Sequence, residues 1–161
     1  MRPIAIPPTT PTRYLSFHAA LNLRSPGELT GDWHPRAVLF ALDKTPDAPV
    51  LAGEGQSVDT TPSLGALGVR EMSAELRAQG VPARVPVWVA NHPRAIADLV
   101  ALDLLDERVP MIATARAINA WLDTEAQVDE LRERYLAPLR AQLTGRTRAI
   151  FDIWLPAVRF E

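Results

Sequence analysis

The chain has 161 residues, 47% of them hydrophobic, with 19 acidic against 17 basic side chains and no cysteine. That length suits one domain with enough apolar residues to bury a core unaided. The missing cysteine excludes disulfides, thiolate catalysis, zinc–thiolate sites and iron–sulfur clusters, and a formal charge of −2 provides no global field to draw in nucleic acid or an anionic membrane.

Residues 1–12 hold Pro3, Pro7, Pro8 and Pro11. Proline lacks the N–H and restricts its predecessor, so an extended Pro-rich arm is expected, followed by a single domain over 13–161. The arm has no apolar run long enough for a signal peptide, and no stretch approaches the roughly 18 apolar residues of a membrane span. A cytoplasmic location is expected, with no membrane contact. Residues 14–23 read as a first helix carrying Tyr14, Phe17 and Leu21, ended by the turn Ser25-Pro26-Gly27-Glu28. A polar loop, Gly31-Asp32-Trp33-His34-Pro35, leads into 36–42, whose continuous apolar run predicts a central strand. A turn over 43–49 and a short strand over 50–52 follow.

Residues 53–68 form the longest stretch without periodicity, and such loops in compact domains are usually functional or disordered. The next helix is expected over 69–79, with Met72 and Leu76 inward and Gly80 as its stop. Then comes the unit around which the chain is organised. Residues 85–90 read as a buried strand, Asn91-His92-Pro93 as a corner, and 94–107 as a helix apolar over most of its circumference. Asn91 or His92 is expected to cap that helix, and Pro93 suits its first turn, where its missing N–H is not needed. Such a corner leaves backbone N–H groups free, which makes it a place to look for function.

The last third reads as helical. A short helix spans 114–122, and Thr124 with Gln127 makes a capping box for the next. Val128, Leu131, Tyr135 and Leu139 form its apolar stripe, Pro138 is expected to kink or break it near Ala137, and Gly145 to end it. A final helix over 146–155 carries Ile150, Phe151 and Trp154 and stops at Pro156. The fold expected is α+β: a small mixed sheet of three to four strands covered by helices, with a helical C-terminal third.

Candidate chemistry is sparse. Of the histidines His18, His34 and His92, the last two flank strands, and with Asp32 they form the candidate catalytic set. Glu28 is the alternative orienting carboxylate. His18, on an apolar helix face, reads as structural. Their spacing contains no H-E-x-x-H and no paired metal ligands, so neither a metal nor a cofactor is expected. Gly53-Glu54-Gly55-Gln56-Ser57-Val58 begins like a dinucleotide-binding loop but has Val58 where the last glycine belongs, and no G-x-S-x-G elbow occurs. Candidate binding residues are Trp33, Glu28, Asn91 and Arg94. Lys44 is the only lysine beside sixteen arginines, a bias that, with abundant alanine and proline, points to a GC-rich bacterial genome. Arginine is therefore the default cation here, and the group Arg140, Arg146, Arg148 and Arg159 reads first as a solvated face, then as a partner-facing tail.

No motif is specific enough to name a family. Two functions are expected in competition. One is a protein-binding or regulatory module, such as an antitoxin-like accessory protein, meeting a protein partner through the arm, the 53–68 loop and the C-terminal helices. The other is a small hydrolytic enzyme using His34 and His92 with Asp32 or Glu28. Nucleic acid is not the expected partner, and self-association stays open.

Overall fold

β1 (Arg13–Leu15), β2 (Leu51–Gly53), β3 (Val69–Glu71) and β4 (Trp88–Ala90) form one mixed sheet in the order β2-β1-β4-β3. The structure is a computed structural model that describes residues 6–24 and 50–161. The strand expected over 36–42, with the turns and loop around it, lies outside the described residues. β1 runs antiparallel to β2, with Tyr14 opposite Ala52, and parallel to β4, with Leu15 opposite Val89. β3 closes the other side antiparallel to β4, with Arg70 opposite Val89. The α+β architecture with a helical C-terminal part is thus as expected.

Two segments expected to be wholly helical begin as strands. Residues 14–23 divide into β1 and a short helix, α1 (Phe17–Leu21), and 69–79 into β3 and α3 (Ser73–Ala78), with α2 (Thr61–Leu64) lying in the preceding loop. The reason is tertiary. Tyr14 and Leu15 are buried between two neighbouring strands, and ladder hydrogen bonds on both sides outweigh a weak local helical period. The strand expected over 85–90 narrows to Trp88–Ala90 because Pro86 has no N–H to pair and Val85 is 61% exposed. Gly53 ends β2 where only glycine fits. Its φ is +109°, and a Cβ there would meet the Thr12 carbonyl oxygen at 2.0 Å. From the arm, Thr9 reaches this sheet: its hydroxyl accepts from the Trp88 N–H at 2.9 Å and donates to the Pro86 carbonyl at 3.3 Å.

α4 (His92–Leu105) is the element against which the others pack: α1, the β4 strand, α8 (Gly145–Trp154) and the helical segment Leu131–Leu136. Its residues Ala95, Ile96, Ala97, Leu99, Val100 and Leu104 are all buried. Helix α5 (Ala115–Trp121) is capped by Thr114, and α6 (Glu125–Glu130) has both halves of the Thr124/Gln127 capping box. Pro138 does not break the helix that follows. The chain passes through a π-helical turn, Leu131–Leu136, straight into α7 (Ala137–Gln142). The wider turn lets the Ala137 N–H reach back to the Arg132 carbonyl. The helix accommodates a proline by widening ahead of it, as π-bulges do. The stripe Val128, Leu131, Tyr135 and Leu139 is buried throughout. Gly145 begins α8 rather than ending the previous helix, because Leu143 and Thr144 are already extended. A 3-10 turn, Leu155–Ala157, follows α8. Among the described residues, no helix is long and apolar enough to cross a membrane.

Candidate functional site

The corner between β4 and α4 has the expected local geometry. Asn91 is the N-cap: its side-chain oxygen accepts from the Arg94 N–H at 2.9 Å. Its amide donates to the Tyr135 hydroxyl at 3.0 Å, and its backbone N–H donates to the Gly68 carbonyl at 2.7 Å. One side chain therefore ties the start of α4 to the π-helical turn. Gly68 lies directly beneath, at φ +75°, where a Cβ would sit 2.6 Å from the Asn91 side-chain oxygen and 2.7 Å from the Tyr135 hydroxyl. Burial pushes the Tyr135 hydroxyl's pKa up.

His92 follows, only 2% exposed. Its Nδ1 lies 3.0 Å from the Trp121 carbonyl at the end of α5, and its Nε2 lies 3.0 Å from the Leu23 carbonyl just beyond α1. Both ring nitrogens meet main-chain oxygens, so neither is open to a substrate in this geometry. A cavity of about 50 Å³ adjoins it, lined by Asn91, Pro93, Trp121, Gln127 and Glu130 among others. That space is on the scale of a few water molecules.

Arg94 points inward. Its side chain is fully buried and donates from all three guanidinium nitrogens. Nε donates to the Tyr14 hydroxyl at 3.0 Å and the Thr60 hydroxyl at 3.2 Å. Nη1 donates to the Leu67 carbonyl at 2.7 Å and Nη2 to the Gly65 carbonyl at 2.9 Å. The guanidinium also lies over the Tyr14 ring, 5.0 Å from its centre. Asp98, also on α4, accepts from the Tyr14 hydroxyl at 3.0 Å, the Ser16 hydroxyl at 2.6 Å and the Thr60 hydroxyl at 2.6 Å. Burial pushes the Asp98 carboxyl up, and the opposing pull of Arg94 and the three hydroxyls does not cancel it. Tyr14 is pushed up as well, first by burial and then by the Asp98 charge. This network sits beneath the 53–68 loop and holds two of that loop's carbonyls in place. It is closed to solvent.

Of the expected site residues, the structure brings Asn91, His92 and Arg94 together in the cap and first turn of α4. Glu28, Asp32, Trp33 and His34 lie outside the described residues. Among the described residues, no three His, Cys, Asp or Glu side chains are grouped so as to hold a metal ion. Tyr14, Ser16, Thr60 and Asp98 were not expected to act together. The one sequence signal is the spacing of Arg94 and Asp98, four apart on a helix whose other charge is Asp103.

The surface beyond the far end of α4 is different. Leu105 is 57% exposed and Met111 76% exposed, with Val109 and Ile112 also uncovered. The charged side chains among them are already occupied. Arg108 pairs with Asp106 at 2.9 Å and with Asp103 at 3.9 Å, and Glu107 faces Arg146 at 4.0 Å. This segment therefore presents four apolar side chains outward beside three exposed charged ones that are paired.

No family model, curated protein or solved structure matches the chain.

Proposed function

We propose that the chain is a non-catalytic protein-binding module of the bacterial cytoplasm, regulatory in the manner of an antitoxin-like accessory protein. The observation that carries this reading is the exposed apolar segment of Leu105, Val109, Met111 and Ile112, whose neighbouring charges pair with one another. Apolar side chains grouped on a surface and rimmed by charge mark protein contact sites. The partner surface that fits is an apolar groove, and with the local charges cancelled its binding depends little on salt.

Capture from the native host tests this with three baits: the wild-type chain, Met111→Glu and Leu105→Glu. Both substitutions are at exposed positions, so the melting temperature is expected to stay unchanged. The wild type is expected to retain one stoichiometric partner that both variants lose. Recovery of the same proteins by all three baits rejects the reading.

A further inference from the structure

The two contacts of the His92 ring are of one kind. Its Nδ1 and its Nε2 each lie 3.0 Å from a main-chain carbonyl oxygen, that of Trp121 at the end of α5 and that of Leu23 beyond α1. A carbonyl oxygen only accepts, so both contacts are hydrogen bonds only when both ring nitrogens carry a proton. A ring with one proton turns a bare lone pair toward one of these oxygens, and the two repel. The ring therefore joins the head of α4 to the ends of two other helices in a way that depends on a single proton.

The two carbonyls are not equivalent. The contact with Leu23 is buried, and the contact with Trp121 is part-buried. Beside the latter lies the cavity of about 50 Å³ that Trp121, Gln127 and Glu130 line. An unpaired acceptor costs most where water cannot reach it. The singly protonated ring therefore keeps its proton on Nε2, and the Trp121 carbonyl turns to water in the cavity. Other titratable groups face this corner. From α1, the exposed His18 sets its ring 6.0 Å from that of Trp121. From α6, Glu130 pairs with Arg134 at 2.9 Å. On α4 itself, Arg94 and Asp98 are turned into the Tyr14 network. Arg24 and Asp123, close in sequence to the two carbonyls, have interactions of their own.

We infer that His92 is a proton-operated clasp on α5. Doubly protonated, it holds the Trp121 end of that helix against the head of α4. Singly protonated, it releases that end and keeps its hold on Leu23. The inference goes beyond the proposed contact at Leu105–Ile112 and does not depend on it.

The test is nuclear magnetic resonance on the isotope-labelled full chain, titrated from about pH 5 to about pH 8, the range in which imidazole groups change charge. At the acid end both ring nitrogens of His92 are expected to be protonated. As the pH rises, Nδ1 is expected to lose its proton and Nε2 to keep it. The Trp121 carbonyl resonance is expected to shift with the same midpoint, while that of Leu23 stays fixed. His18→Gln and Glu130→Gln, neither at a buried position, are expected to leave this step in place. A ring that holds the same number of protons throughout, a Trp121 carbonyl that stays fixed while the ring titrates, a Leu23 carbonyl that moves in its place, or loss of the step in either variant would each overturn the assignment.

Discussion

Arg94 and Asp98 stand one turn apart on α4, both with side chains fully buried, the guanidinium Nε 3.8 Å from the carboxylate. The two charges meet only at the edge of contact. Each is held mainly by neutral partners: hydroxyls shared between them, and for Arg94 two loop carbonyls. A pair arranged this way sets the position of the 53–68 loop more than it adds stability, because desolvating two ions offsets most of their attraction. Removing one member is another matter. Asp98→Asn replaces an accepting oxygen by an NH2 among three donating hydroxyls and is expected to cost about 1–3 kcal/mol. Arg94→Met is expected to cost as much, since it also strips donors from the Gly65 and Leu67 carbonyls. The double variant Arg94→Met/Asp98→Leu should recover part of the loss. Urea unfolding of the four proteins checks this, and additive single losses would show that the two residues act independently.

Two carboxylates are expected to give opposite slopes of stability against pH. Asp98 is raised from its ordinary value of 3.8, first by burial. Its folded form takes up a proton more readily than the unfolded chain. Its contribution is therefore fully present below 3.8 and is lost as pH rises through the folded value. Glu71 is lowered from 4.5 because it accepts from Ser73 and from the Val87 N–H. Its contribution is present above 4.5 and lost as pH falls through the folded value. Stability of the wild type relative to Asp98→Asn should thus rise on acidification, and relative to Glu71→Gln should fall. A rise with pH in the Asp98 comparison would mean that Arg94 and the hydroxyls outweigh burial.

The parts of this fold legible in the sequence are those determined locally. Asn91 as cap, Pro93 in the first turn of α4 and the Thr124/Gln127 box are local rules, and each is present. The segments 14–23 and 69–79 were misjudged because their first residues answer to strands distant in sequence, which no local period reveals. At Pro138 the helix is not broken, but its regular α-helical ladder does give way just before Ala137. The rule that proline interrupts an α-helix is sound, but a π-helical turn is a second way to satisfy it. At the site, the histidines and carboxylates stand out by residue type. The network that organises α4 is built instead from Tyr14, Ser16 and Thr60, whose hydroxyls carry no signal until the fold brings them to Asp98.

The link between Asn91 and Tyr135 gives a test of how the helical third is joined to the sheet. Asn91→Ala removes a helix cap and the bond to Tyr135 together, an expected loss of about 1–2 kcal/mol. Tyr135→Phe removes only the hydroxyl and is expected to cost about 1 kcal/mol. Gly68→Ala should exceed both, because it meets a positive φ and two close polar atoms at once. A double-mutant cycle on Asn91 and Tyr135 measures the coupling, and a value near zero would show that the α4 cap and the π-helical turn are energetically separate.

His92 provides the sharpest distinction between a structural and a chemical role for the corner. Its ring reaches two carbonyls from two different helical segments, Leu23 beyond α1 and Trp121 at the end of α5. A doubly protonated ring donates to both of them, and a neutral ring to one. His92→Ala leaves both carbonyls without this partner in a site that is 2% exposed. Each unpaired buried acceptor costs about 1–3 kcal/mol, and for a chain of this length 1 kcal/mol lowers the melting temperature by about 2–4 °C. A drop of at least about 2 °C is therefore expected where the ring serves one carbonyl, and about 4 °C where it serves both, together with faster amide exchange around Leu23 and Trp121. If His92→Ala instead melts with the wild type, the ring is not holding these segments together, and its position at the helix head calls for a chemical explanation.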